Sequence, residues 1–445
     1  LRLGDNAHAE TTVKIRMNEA SADDVATIMY TSGTTGESKG VVLHHFNYLE
    51  AMRIHDIRLP MVNDKDTSMC FLPLTHIFEK AWTCYCLHKG VKIAINQDPK
   101  MIQKTLPEVH PTLMCNVPRF WEKVYVGVHE KINSSAPFMK KIFMDAIETG
   151  RLYNLEYKNK GIKAPFCLKT KFKFYDKTVF TLLKKVLGIE RGRLFPVAGA
   201  PLSDTVNEFL QSVNIPIVYG YGLSETTATV CFYPEIGFQF GSIGEIMPGV
   251  EVKIDESNGE ILVKGKTVTT GYYNKPEENA RAFTEDGFFR TGDAGRLEGN
   301  VLFFTERIKD LYKTSNGKYI APQAIEIEMG SDKYIEQIAV IGDQRKFVSA
   351  LIVPAYTLLE EYAEKKGIAY SSREELLASN EIIRLIESHI EEHQKNLASY
   401  EKIKRFTLLP QPFTMEGREL TDTLKLRRPV VLQKYANEIE AMYAE

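Results

Sequence analysis

The chain has 445 residues, 44% hydrophobic and 26% charged, with a formal net charge of −2; this is too long for one compact core and implies two or three domains. So small a net charge excludes a global field directed at nucleic acid or an anionic membrane, and leaves such contacts to local patches. No apolar run approaches the roughly 18 residues of a membrane-spanning helix, and six cysteines without Cys-x-x-Cys spacing suggest buried, reduced thiols in a cytoplasmic protein.

Residues 1–25 are mixed and polar, and the chain opens on Leu1, which leaves open an upstream segment or targeting signal. Residues 26–30 have the pattern of a buried strand. They feed a stretch that gathers Thr31, Ser32, Thr34, Thr35 and Ser38 with Gly33, Gly36, Gly40 and Lys39. Glycines let backbone N–H groups approach a ligand closely, and hydroxyls and an ammonium donate to anionic oxygens, so this composition suits a phosphate cradle. Lys39 is correctly spaced from Gly33 for a Walker A loop. Ser38, however, stands where the second glycine belongs, Gly40 replaces the metal-binding hydroxyl, and residues 40–43 suggest a strand instead of a helix. The expectation is a nucleoside triphosphate held outside the P-loop fold.

Helical patterns at residues 45–54 and 77–87 alternate with strand patterns at 67–72 and 91–95, and strand signals recur at Leu113 and at 217–219. This alternation predicts βαβ units and a largely parallel sheet. Residues 158–193 carry eleven basic residues against Asp176 and Glu190, interleaved with aromatics. A solvated helical face, a peripheral contact with an anionic membrane and a nucleic-acid surface compete here, the last without any RNA-binding signature. Period-two alternation at 251–255 and 260–264 across Ser257-Asn258-Gly259 predicts a β-hairpin within a β-rich subdomain over 241–304. The last third predicts strands at 335–341 and 349–353 and helices at 358–366, 373–395 and 429–443. A boundary near residues 307–310 gives domains 1–308 and 309–445.

Four further stretches accompany the phosphate cradle. Gly199, Ala200 and Pro201 would let a flat ring lie against backbone. Tyr221, Gly222, Ser224 and Glu225 offer an aromatic face, a hydroxyl and a carboxylate after a strand. Asp293 sits on a Thr-Gly-Asp turn, and Lys425 lies near the C-terminus. Singly, each is ordinary packing, turn or surface chemistry. In their joint order, from residue 24 to 428, they resemble the adenylate-forming superfamily of acyl-CoA synthetases, peptide-synthetase adenylation domains and luciferases. Residues 71–79, 117–123 and 313–322 and the basic insertion before Val197 are most similar to long-chain fatty acyl-CoA synthetases.

The resemblance implies an α/β fold: a large adenylate-forming domain with a β-rich subdomain, its first part upstream of this chain, and a smaller mobile α+β C-terminal domain. It implies ATP and Mg²⁺ as cofactors, coenzyme A as co-substrate and a fatty acid as substrate, with no nucleic acid. Carried over by position, Thr31 to Lys39, including Ser32, Gly33, Thr34, Thr35 and Gly36, would hold the β- and γ-phosphates. Glu225, beside Ser224, would bind Mg²⁺. Tyr221 and Gly222 would meet adenine beside Gly199, Ala200 and Pro201, and Asp293 and Arg307 would take the ribose hydroxyls. Lys425 would reach the reacting carboxylate and α-phosphate, His76 would lie near the acyl and pantetheine channel, and Lys309 would be the hinge. Two departures stand out: Ser224 replaces the usual threonine, and Tyr312 a common aliphatic residue. Carrier-protein loading and a catalytically silent nucleotide-binding relative are the alternatives. Weaker still are a hydrolase elbow at residues 222–226, which lacks its last glycine, and a zinc pattern at His389-x-x-Glu-His393 without a third ligand.

Overall fold

Short apolar strands separated by helical crossovers pair in parallel, because the crossover returns the chain to the same end of the sheet. The computed structural model of the protein describes residues 7–31, 38–308, 310–315, 318–395, 397–421 and 426–444. Its first strands, β1 (Val25–Thr31) and β2 (Lys39–His44), form an antiparallel hairpin that sets Thr31 opposite Lys39. The buried strand expected at 26–30 is instead an edge strand. Met29 is buried, but Tyr30 is 64% exposed, because the hairpin covers only one face with Val41, Leu43, Tyr48 and Ile77. Residues 1–25 also contain a helix, Ala7–Glu19, whose polar residues are spread all round, which is why no period marked it.

The parallel sheet runs β4 (Lys92–Ile95), β3 (Thr67–Cys70), Leu113, β5 (Phe195–Val197) and β6 (Ile217–Tyr221), with Leu113 bridging Ser68 on one side and Leu194 on the other. Helices His45–Arg58 and Ile77–His88 lie where their patterns predict. Trp121, Phe180, Phe195 and Met114 are fully buried in the core beneath.

The β-rich part is not a separate layer. β6 pairs antiparallel with β7 (Cys231–Phe232), and the sheet continues through β8 (Gly244–Ile246) to the later strands. Next come the hairpin β9 (Val250–Ile254) and β10 (Glu260–Gly265), then β11 (Gly271–Tyr272), β12 (Phe289–Glu298) and β13 (Val301–Arg307). The eight-stranded order is β5-β6-β7-β8-β13-β12-β10-β9, while β11 joins β2 in the hairpin sheet. Of the six cysteines, Cys167 is exposed and Cys84 half-buried, against the expectation of buried thiols throughout.

A second hydrophobic core spans Tyr312 to Met442. After the short pair β14 (Tyr312–Lys313) and β15 (Tyr319–Ile320), β16 (Ile335–Ile341) runs antiparallel to β17 (Val348–Pro354). The unforeseen β18 (Ile403–Leu408) lies parallel to β17. Its consecutive exposed Lys404 and Arg405 hid it from an apolar-run criterion. The helix expected over 373–395 is two helices, Arg373–Leu377 and Asn380–His393, and the terminal one breaks at Tyr435. Tyr312 is a core residue here: its hydroxyl donates to Val340 O at 3.1 Å and accepts from Arg428, whose guanidinium also pairs with Glu326 at 2.7 Å.

Glu306, on the last strand of the large sheet, ties the two parts together. One carboxylate oxygen accepts from Gln323 N (2.9 Å) in the first turn of helix Pro322–Gly330, and the other from Arg307 N (3.1 Å). Burial nevertheless pushes its pKa up from 4.5 to about 7. A carboxyl raised in the folded state keeps its proton while the unfolded chain loses it, so folding weakens as pH rises from 4.5 to about 7. The change amounts to about 3 kcal/mol. Thermal unfolding at pH 5 and pH 7.5 should therefore show a smaller drop in Tm in Glu306→Gln than in the parent; equal drops would contradict this account.

Candidate functional site

β6 is the seam of the large sheet, parallel to β5 on one edge and antiparallel to β7 on the other. Where strand order switches, a crevice opens beyond the carboxyl ends of the strands. Gly199, Ala200 and Pro201 follow β5 at that end, and Tyr221, Gly222, Ser224 and Glu225 follow β6. Gly199 adopts φ +87° and has no atom within 4 Å of a notional Cβ, so backbone there borders open space. Gly222 is glycine for a different reason: a Cβ would sit 1.5 Å from Ala228 O. The chain returns beneath it through Thr227 (φ 48°) and Ala228 (φ 78°), two consecutive non-glycine residues in the left-handed region. Backbone strain of this kind collects where a side chain must be aimed, here the Glu225 carboxylate two residues before Thr227.

Three strands bring side chains to this crevice. Tyr221 donates its hydroxyl to Asp293 Oδ2 at 2.6 Å, and Arg307, opposite Asp293 in the β12–β13 ladder, approaches Asp293 Oδ1 at 3.5 Å. Asp293 is buried, and burial together with its charge drives the Tyr221 hydroxyl pKa well up. Glu225 accepts from the Tyr272 hydroxyl at 2.9 Å. Burial pushes its carboxyl pKa up, opposed by its own backbone N–H, by Tyr272 and by the charge of Arg307. On the far side, Lys39 pairs with Glu278 and stands 5.1 Å over the Tyr272 ring. Both members of that pair are partly exposed, so the contact is weak enough for Lys39 to exchange Glu278 for a more highly charged anion.

Ser32, Gly33, Thr34, Thr35, Gly36, Lys309 and Lys425 lie outside the described residues. Thr31 closes the hairpin with its hydroxyl toward Lys39 O at 3.4 Å. His76 is exposed at the start of helix Ile77–His88, two residues before Phe78, which lines the cavity described below. Ser224 opens a single 3₁₀ turn. His389 and His393 both engage Asp332, at 2.6 and 3.2 Å, which accounts for the zinc-like spacing as an ion-pair cluster; among the described residues no metal-holding group was found.

Local patterns did not mark Tyr272 or Glu278. Tyr272 is placed by β11 pairing with β2, which sets it opposite Val41, a long-range register that no local pattern announces, and Glu278 by the helix Pro276–Ala282 that follows. Nor did they reveal an apolar tunnel that shares Tyr221 with the cluster. Ala198, Gly220, Val197 and Val218 line it from the sheet side, and Met52, Phe78, Ala81 and Trp82 from the helices. His55 lines it too; its Nδ1–H donates to Ala51 O (2.6 Å) while Nε2 faces the Thr229 hydroxyl at 3.1 Å. Burial lowers the His55 pKa, so the ring is neutral at neutral pH and an apolar occupant meets no charge.

Comparison with known proteins places this geometry in a family. The AMP-binding enzyme family matches residues 3–273, and the AMP-binding enzyme C-terminal domain matches residues 309–445. The long-chain-fatty-acid–CoA ligase FadD15 of Mycobacterium bovis is 31% identical over 96% of this chain and 71% of its own length. The peroxisomal long chain acyl-CoA synthetase 7 of Arabidopsis thaliana is 30% identical over 95% and 61%. The adenylation domain of a carboxylate reductase from Mycobacterium chelonae shares the fold with a TM-score of 0.74 at 22% identity, covering 98% of this chain and 67% of that one. O-succinylbenzoate coenzyme A synthetase of Bacillus subtilis, solved with ATP and magnesium, does so at 0.62 and 20%, covering 92% and 70%. With a match over more than half its length and relatives of this identity, the chain belongs to the AMP-binding, adenylate-forming enzyme family.

Proposed function

We propose that the protein is an ATP-dependent fatty acid:CoA ligase that first joins a long-chain carboxylate to AMP with release of pyrophosphate and then transfers the acyl group to the thiol of coenzyme A. The observation that carries this reading is the shared wall: Tyr221 belongs both to the polar cluster with Asp293 and to the lining of the apolar tunnel. An acid whose hydrocarbon tail fills the tunnel presents its carboxylate where the polar side chains converge.

The residues present fit ATP and Mg²⁺. Glu225 is a desolvated carboxylate bonded by its own backbone N–H and by the neutral Tyr272 hydroxyl, a setting in which a nearby cation restores ionisation. Bound there, Mg²⁺ would neutralise charge developing on the phosphoryl oxygens. Open backbone at Gly199 leaves room for a ring beside Tyr221. Asp293, held between Tyr221 and Arg307, keeps a fixed carboxylate for vicinal hydroxyls. Lys39 and the neighbouring hydroxyls through Thr31 would bind the departing pyrophosphate, and Lys425 would bring a cation to the α-phosphate from the small domain. Lys309 would be the pivot that withdraws it and admits the thiol. A carrier-protein acceptor in place of coenzyme A is the second reading, and the carboxylate reductase domains sharing this fold motivate it.

Three outcomes are expected. Glu225→Gln should lower fatty-acid-dependent ATP–pyrophosphate exchange by about 10² to 10³, and unchanged exchange would remove Glu225 from the site. Lys425→Ala should abolish exchange yet leave thioester formation from supplied acyl-AMP largely intact; equal loss of both steps refutes its role. Ala81→Phe should fill the tunnel and move the best substrate to shorter acids, with kcat/KM for the long acid falling about 10²-fold or more. An unaltered chain-length profile would show that the tunnel does not hold the tail.

A further inference from the structure

The basic insertion forms one continuous helix: Phe166–Tyr175, a five-residue π segment Asp176–Phe180, and Thr181–Val186. It is about 30 Å long. Phe172, stacked on Tyr153 at 4.1 Å, and fully buried Phe180 anchor its inner side. Its outer side carries Phe166, Thr170, Phe174, Thr178, Leu182 and Val186, every fourth residue and every one exposed, from Phe174 at 62% to Phe166 at 84% among the aromatics. In a regular α-helix a four-residue repeat drifts by about 40° per step; the wider π turn takes back part of that drift and keeps the row together. Both threonine hydroxyls are taken up by the helix backbone, Thr170 donating to Phe166 O (2.9 Å) and Thr178 to Phe174 O (2.7 Å). Apart from these two backbone-bonded hydroxyls the outward row is apolar.

Beside it runs a row of cations. Lys171 and Lys184 are satisfied by Asp145 and Asp176. Lys169, Lys173, Lys177 and Lys185 are exposed and have no carboxylate partner among the described residues. Asp176 is the single acidic residue in the helix, and it is already paired. Nothing in the chemistry proposed above uses these side chains. An apolar ridge flanked by unpaired lysines matches a surface that offers hydrocarbon below a layer of negative charge.

We propose that the outer face of residues 166–186 docks this protein on an anionic lipid bilayer, with the Phe166-to-Val186 row entering the headgroup–acyl boundary and the four lysines lying at the phosphate level. The proposal needs neither ATP nor acid, so it stands or falls separately from the ligase reading.

Exposed Cys167 sits beside Phe166 and provides the probe. The full chain labelled there with an environment-sensitive fluorophore is titrated with phosphatidylserine–phosphatidylcholine vesicles and with pure phosphatidylcholine. The expected result is a blue shift with the anionic vesicles only, and a partition coefficient that falls about fivefold for each of Lys169, Lys173, Lys177 and Lys185 changed to Gln, an effect that salt reduces. Phe174→Ser and Leu182→Ser should weaken binding while leaving the monomer's thermal unfolding unaltered. The proposal is overturned by an absent shift, by equal binding to neutral vesicles, or by variants that bind like the parent. It is equally overturned if the label is already in an apolar environment before vesicles are added, or if Phe174→Ser changes the oligomeric state instead of vesicle binding; either would assign the face to a protein partner.

Discussion

Strand Ile217–Tyr221 must satisfy two different hydrogen-bond ladders at once, and much of the site's arrangement follows from this. Its parallel edge binds it to the crossover sheet through β5. Its antiparallel edge hands the sheet over to short hairpin strands. At the carboxyl end of that one strand the chain leaves the sheet, and Tyr221 and Glu225 are delivered to the point where the two architectures part. Asp293 and Arg307 arrive there because β12 and β13 are strands of the same sheet. Shifting either ladder by one residue would turn Tyr221 away from Asp293.

Desolvation then determines how these groups behave. Tyr221 keeps its proton because burial and Asp293 disfavour the phenolate, and Glu225 is held with its charged form poorly compensated. A buried carboxylate of this kind favours a cation over a proton once one is available. The tunnel side is treated oppositely: His55 is kept neutral by burial and its polar atoms are used internally, by Ala51 O and Thr229. Charge therefore gathers in the polar cluster, while the described residues that line the tunnel carry none, which suits an amphiphilic acid.

Much of this was legible in sequence where the signal was local. The hairpin at residues 251–264, the helices after residues 45 and 77, and the positions of Tyr221, Glu225 and Asp293 follow from periodicity, turn residues and ordered motifs. What escaped depends on distant pairing or on the burial of a polar segment. Tyr272 enters the site through its ladder with β2, and β18 is interrupted by the adjacent, exposed Lys404 and Arg405. The continuity of the parallel and antiparallel strands arises from two residues, Cys231 and Phe232, too short a run to mark a strand. In residues 158–193 composition alone left three readings open; only the burial of Phe172 and Phe180 shows which face turns inward.

On the ligase reading, the fatty acid's carboxylate attacks the α-phosphorus of ATP. A long-chain acid labelled with ¹⁸O in its carboxyl group, turned over with ATP and coenzyme A, tests this directly by mass analysis of the nucleotide product. One ¹⁸O atom should then be transferred to the phosphate of AMP in each turnover. Formation of ADP with the label in inorganic phosphate would contradict it, since attack would then have occurred at the γ-phosphorus.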